Sequence, residues 1–203
     1  MTTYKLTYFD MDGGRAEPIR IALHSGGIAF EDDRLSFPAF REMRKSTPFD
    51  SVPVMEIDGV RATQSNSLAR YVGKLVGLYP EDPIQALYCD EAMDACEDLS
   101  HYIVQTFGLE GEALRQARDK LVDGWLSSYV RGLDGLLARG GGEYFADGRL
   151  TVADLKVFVQ SRSLAKGTLD HVPADLVEKL APALAQHRDR IAADPKVVSY
   201  YAR

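Results

Sequence analysis

Cysteine is nearly missing from this chain: two in 203 residues, Cys89 and Cys96. Seven positions apart in a helical stretch, they are separated by roughly 10 Å along the axis, too far for a disulfide. They read as small buried hydrophobes, and with no thiol pair no metal site is defined. Long apolar runs are missing too. None approaches the roughly 18 residues that span a bilayer. A basic excess is also lacking: Lys and Arg number 24 against 30 Asp and Glu, a formal charge of −6. Nucleic acid and anionic membrane are thereby excluded as main partners, because both need a dense basic face. The N-terminus has no charged region followed by an apolar stretch, so a cytoplasmic address is expected. Repeats and low-complexity segments do not occur. What is present is ordinary globular usage, 45% hydrophobic and 27% charged, enough for one large domain or two small ones.

Two periods divide the chain. Tyr4 to Phe9 alternates as a strand does, with Tyr4, Leu6 and Tyr8 on one side. After Gly13-Gly14 a helix opens with Arg15, Ala16 and Glu17; Pro18 is tolerated in its first turn and Gly26-Gly27 stops it. Ala29 to Leu35 reads as a second strand. Val54-Met55-Glu56-Ile57 and Val60-Arg61-Ala62 flank Asp58-Gly59, a strong hairpin signal. Ser65 to Val76 has helical spacing. Beyond it only the helical period is found. Tyr88, Ala92, Ala95, Leu99 and Tyr102 trace one stripe, and Val122, Trp125, Tyr129, Leu133 and Leu136 another that ends at Gly140-Gly141-Gly142. Thr151 and Asp154 suit an acidic capping box. Leu176, Leu180, Leu184 and Ile191 form a last stripe. The expected organisation is an α/β unit over residues 1–78, a linker over 79–84 carrying two prolines, and an all-helical unit over 85–203.

An order of βαβ, a helical connector and ββα is the plan of a thioredoxin-like domain. Dithiol enzymes of that plan carry Cys-x-x-Cys where the first strand meets the first helix. Here that place holds Phe9-Asp10-Met11-Asp12, and no cysteine precedes Cys89. Disulfide exchange there is excluded. What remains is Tyr8, whose hydroxyl either packs in a strand or holds a thiolate supplied by a ligand.

Tyr4-Lys5-Leu6-Thr7-Tyr8-Phe9 with Gly14-Arg15-Ala16-Glu17, then Val52-Pro53-Val54, Ile57-Asp58-Gly59, Gln64-Ser65 and Leu68-Ala69-Arg70-Tyr71, in this order and spacing, resemble the glutathione transferases. The likeness is to the sigma class, which includes the haematopoietic prostaglandin D synthases, and extends over essentially the whole chain. It implies a thioredoxin-like N-terminal domain for glutathione, followed by an all-α helical-bundle C-terminal domain. Glutathione is the implied co-substrate, with no metal or nucleotide. The implied partners are a small hydrophobic electrophile and a second copy in a homodimer, and the implied setting is cytoplasmic detoxification.

By the same resemblance Tyr8 is the catalytic residue. A hydroxyl donating to sulfur favours the thiolate and lowers the thiol pKa. Phe9 lies in the same site. Val52-Pro53 matches a cis-proline turn whose backbone pairs with the cysteinyl unit of glutathione, against the alternative of a plain turn. Gln64 and Ser65 match residues that hold the γ-glutamyl carboxylate at a helix start; simple capping by Ser65 is the other reading. Arg15 either places positive charge near the sulfur or pairs with Glu17 or another acid; the loop before it is one residue longer than usual. Phe40 and Arg44 match a tryptophan and a lysine that contact the glycyl carboxylate, although phenylalanine has no N–H to donate. A solvated basic face over Arg41, Arg44 and Lys45 stands beside that reading. Asp94, Glu97 and Asp98 form an acidic helix face, from which Asp98 is implied to reach the glutathione amino group across a dimer. Met11, Asp12, Ser100 and Val104 are expected to wall the electrophile pocket.

The expected reaction is attack of the glutathione thiolate on an electrophilic carbon. The alternatives are a glutathione-dependent isomerase of the prostaglandin D synthase type and a non-catalytic binding or structural relative.

Overall fold

The alternating Tyr4–Phe9 segment forms strand β1, and Glu17–Ser25 forms helix α1 with Pro18 in its first turn. The computed structural model describes residues 2–203. Strand β2 (Glu31–Leu35), helix α2 (Phe37–Met43), two 3₁₀ turns (Arg44–Ser46 and Pro48–Asp50), strands β3 (Val54–Ile57) and β4 (Val60–Thr63) and helix α3 (Ser65–Leu75) complete the α/β half. Asp58 and Gly59 turn the β3–β4 hairpin with φ of 49° and 83°, the pair of positive values that a two-residue turn of matching twist requires.

Sheet order is β2-β1-β3-β4, with β1 parallel to β2 and antiparallel to β3. Thr7 lies opposite Val54, so the end of β1 and the approach to β3 are side by side. This register brings Tyr8 next to the Val52-Pro53 turn.

Helix α4 (Pro83–Val104) opens the helical half. Asp82 caps it by accepting from the N–H groups of Ile84 and Gln85 at 3.0 and 2.9 Å. Its buried face is Cys89, Ala92, Met93, Cys96, Leu99 and Ile103, so both thiols serve as core residues. Burial pushes each up to about 12, which leaves them unreactive. Helices α5 (Gly111–Leu121), α6 (Ser127–Arg139), α7 (Val152–Ala165), α8 (Leu176–Leu180), α9 (Pro182–Ala192) and α10 (Pro195–Tyr201) follow.

Helix α7 is the central element, packing on α4, α9 and α8 in its own half and on α1 and α3 in the other. Its start is fixed by the capping box: the Asp154 carboxylate accepts from the Thr151 N–H at 2.8 Å and from its hydroxyl at 2.7 Å. The same carboxylate accepts from the Phe145 N–H at 3.0 Å and lies 2.9 Å from His187 Nε2, all of it buried. A buried carboxylate satisfied this way holds one helix start and one loop together. The Val152 N–H donates to the Leu78 carbonyl at 2.8 Å, tying the halves at the start of α7.

Three expectations are corrected. The Val122–Trp125–Tyr129–Leu133–Leu136 stripe is broken by a π turn over Val122–Leu126, where Gly124 has φ −113° and ψ −110°. The wider turn shifts the helical face, so the buried row is Leu126, Val130, Leu133 and Leu137. Trp125 is 55% exposed and stacks on Tyr102 with ring centroids 5.0 Å apart. The Leu176–Ile191 stripe is two helices, because Ala181 leaves helical geometry just before Pro182. The second strand starts at Glu31 and not at Ala29.

Candidate active site

Tyr8 stands near the end of β1, 5% exposed. Its hydroxyl accepts a hydrogen bond from the Arg15 backbone N–H at 3.1 Å, which leaves its own proton to donate elsewhere. Gly14 makes this approach possible. It has φ +70°, and a Cβ there would stand 2.7 Å from the Tyr8 hydroxyl, so only glycine suits both the turn and the contact. Burial pushes the phenol up from its ordinary value of 10.0, against the Arg15 N–H and charge, which pull it down. Tyr8 is therefore a protonated donor across the neutral range.

Two clefts meet at Arg15. One, of about 240 Å³, is lined by Arg15, Ser51, Val52, Pro53, Gln64, Ser65 and Glu97. The other, of about 290 Å³, is mainly apolar and takes in Tyr8, Phe9, Met11, Phe37, Ile103, Val104, Phe107 and Leu169 with Ser100, Lys156, Gln160 and Ser163. A larger open cleft, about 840 Å³, lies near Lys74, Tyr79 and Arg149, away from Tyr8. There the Arg149 guanidinium is engaged by Asp147 and the Gly77 and Tyr79 carbonyls.

The smaller cleft is charged. Glu97, on α4, receives Arg15 Nε on one carboxylate oxygen. Its other oxygen accepts from the Ser65 hydroxyl at 2.7 Å and from Lys156 Nζ at 2.7 Å. Lys156 Nζ also lies 3.3 Å from Ser65 Oγ and donates to Asn66 Oδ1. Burial alone pushes the Glu97 carboxyl up, but the Lys156 charge and hydrogen bond, then Arg15 and Ser65, hold it down at about 2. Gln64 precedes α3 with φ +71°, a left-handed value that costs a residue with a side chain on the order of 1 kcal/mol and draws attention to this helix start. The Val52-Pro53 peptide is cis.

Residues 4–74 match the profile of the glutathione S-transferase N-terminal domain, and residues 97–203 that of the glutathione S-transferase C-terminal domain. The chain belongs to the glutathione S-transferase family. It is similar to glutathione S-transferase 3 of Caenorhabditis elegans, 28% identical, with 100% of this chain and 97% of that protein covered. It is 30% identical to hematopoietic prostaglandin D synthase of Gallus gallus over 98% of this chain and 96% of that one. Prostaglandin synthase D of Nilaparvata lugens has a similar fold, with TM-score 0.87, 28% identity and 99% and 98% of the two chains covered. Like other glutathione S-transferases, the chain joins a mixed-sheet N-terminal unit to helices and takes glutathione as co-substrate.

Of the residues expected in a transferase site, Arg15, Val52, Pro53, Gln64 and Ser65 come together in the charged cleft, and Tyr8, Phe9, Met11, Ser100 and Val104 in the apolar one. Arg15 pairs with Glu97, while Glu17 faces Arg20 at 3.4 Å. Ser65 is the first residue of α3 and its hydroxyl goes to Glu97, so simple capping is not its role. Asp12 is exposed and outside both linings, because the positive-φ turn at Gly13 and Gly14 leaves it on the outer lip. Phe40 stacks edge-on against Phe9 at 5.1 Å, and Arg44 donates to the Asp50 carbonyl at 3.1 Å; neither lines the charged cleft. Asp98 accepts from the Tyr129 hydroxyl at 3.0 Å on an exposed face, outside both clefts.

Glu97 lines the charged cleft and Lys156 the apolar one, and motif reading passed over both. Glu97 was one of three acids on one helix face. Lys156 carried its own signal, a single positive charge inside the apolar run Val152–Val159.

Proposed function

We infer that the chain binds glutathione in the charged cleft and attacks hydrophobic electrophiles held in the apolar one. The observation that carries this reading is the buried Tyr8 hydroxyl between them. Its oxygen accepts from the Arg15 N–H, which leaves its proton available to donate to a ligand atom. A donor at the sulfur stabilises the thiolate, and the tripeptide supplies the nucleophile. In this reading Val52 pairs with the cysteinyl backbone, Gln64 and Ser65 hold the γ-glutamyl end, and Phe9, Met11, Ser100 and Val104 face the electrophile. Residues 1–78 form the glutathione domain and 85–203 the domain walling the second pocket.

The finer assignments belong to the same proposal: sigma class, detoxification, a cytoplasmic setting, and a homodimer in which the exposed Asp98 reaches the glutathione of a second copy. Phe40 and Arg44 keep a place near the glycyl carboxylate only if that end of the peptide extends beyond the cleft toward α2.

Glutathione conjugation of a chlorodinitroarene, run beside calorimetry with glutathione, tests the reading. Saturable conjugation and binding are expected; a folded protein that binds no glutathione overturns it. The mainly apolar cleft and the prostaglandin D synthase relatives favour one second reading, isomerisation of a lipid endoperoxide through a thiol adduct. Turnover of the endoperoxide exceeding that of every simple electrophile would move the assignment there.

A further inference from the structure

Lys156 is hard to explain as packing. It stands in the first two turns of α7, among Val152, Leu155, Phe158 and Val159, with its side chain only 7% exposed. Placing a charge there is costly unless it is paired and hydrogen-bonded, and an apolar residue of similar volume would cost less. Its Nζ reaches Ser65 and Asn66 at the start of α3 and Glu97 on α4, residues from 59 to 91 positions away in sequence.

Glu97 poses the matching problem. Its carboxylate takes the single proton of the Ser65 hydroxyl that is assigned above to a ligand carboxylate, so that hydroxyl must turn from Glu97 to donate to the ligand, leaving Glu97 to Arg15 and Lys156. Two carboxylates this close to one helix start repel when partly desolvated. Arg15 takes one oxygen of Glu97 and Lys156 the other, so the three side chains together leave one positive charge beside Ser65. Without Lys156 the sum is zero, and the arriving carboxylate meets Glu97 directly.

We propose that Lys156 is a positioning residue for glutathione: acting through Glu97 and Ser65, it makes the cleft select a thiol peptide bearing a free α-carboxylate at its γ-glutamyl end. The proposal rests on the glutathione reading and adds the selecting group, which sits in the helical half of the same subunit.

The test compares two peptides, glutathione and γ-aminobutyryl-cysteinyl-glycine, which keeps the amine and thiol but lacks the α-carboxylate. The wild-type protein is expected to favour glutathione. Lys156→Met is expected to raise the glutathione KM about tenfold or more, with kcat at saturation and the KM of the second peptide little changed. Lys156→Arg restores the preference. If Lys156→Met does not fold, Glu97→Gln carries the test: it removes the repelling charge, keeps Lys156, and must widen the preference for glutathione. Equal changes for both peptides in every folded variant overturn the role of Lys156 alone. A wild-type protein that binds neither peptide overturns the glutathione reading, and this inference with it.

Discussion

The two clefts are built on opposite principles. The charged cleft is made from a few groups on elements that the sheet register and helix starts hold in place: the turn before β3, the first residue of α3, and the Arg15–Glu97 pair, to which Lys156 is bonded from the neighbouring cleft. The apolar cleft is made from side chains at the end of β1, in the β1–α1 loop, on α1, α2, α4 and α7 and in the loops after α4 and α7, most of them apolar. The first has chemistry that demands particular residue types at particular places. The second requires volume and hydrophobicity, which many residues supply, so on the proposed reading substrate range is set there and co-substrate identity in the first. Tyr8 belongs to the apolar lining, but its hydroxyl is held by the residue that both clefts share.

If that division is right, substitutions should separate cleanly. Tyr8→Phe is expected to have the largest effect, roughly a tenfold to hundredfold fall in kcat with little change in glutathione affinity, since a hydrogen bond to a charged group is worth about 1.5–3 kcal/mol. Steady-state kinetics with calorimetry would check it; unchanged turnover would remove Tyr8 from the chemistry. Ser65→Ala is expected to raise the glutathione KM about tenfold while kcat holds, because a carboxylate far from the sulfur is bound alike in ground and transition states. Unaltered affinity in the folded variant would break the charged-cleft assignment.

Phe107→Ala, at the rim of the apolar cleft, is expected to raise the KM of bulky electrophiles about twofold to fivefold and to leave glutathione untouched. An equal change in both constants would mean that the clefts are not independent. A different effect is on stability. Glu97 titrates near 2 in the folded chain against an ordinary 4.5, so its contribution is complete above about pH 4.5 and is lost as pH falls toward 2. Denaturation midpoints from pH 5 down to pH 2 should fall less steeply in Glu97→Gln than in the wild type. Parallel curves would show that the ion chain does not stabilise the fold.

Legibility in the sequence followed the same division. The strand at Tyr4, the Asp58-Gly59 hairpin and the Thr151–Asp154 capping box are local signals, each completed within a few residues, and the structure has all three. Helix α5 went unread because, of its eleven residues, only Arg118 and Leu121 are buried, which leaves almost no apolar stripe. The π turn at Val122–Leu126 was invisible because the residues there keep helical spacing while the backbone does not. Of the cleft residues, Tyr8, Val52-Pro53 and Gln64-Ser65 stand in short motifs that a sequence shows. The Ser65–Glu97 and Ser65–Lys156 contacts join residues 32 and 91 positions apart, and only the packing of α4 and α7 against α3 creates them. Asp12 was misplaced because a two-glycine turn decides where its side chain sits, and spacing does not report that.

The central claim is that the Tyr8 hydroxyl ionises the bound thiol, and ultraviolet difference absorbance of the glutathione complex against pH reads that ionisation directly. The account predicts that the bound thiol titrates well below the value of about 8.5 for a free cysteine, and that Tyr8→Phe returns it close to that value. A bound thiol that titrates as the free one does, and is indifferent to Tyr8→Phe, would contradict it.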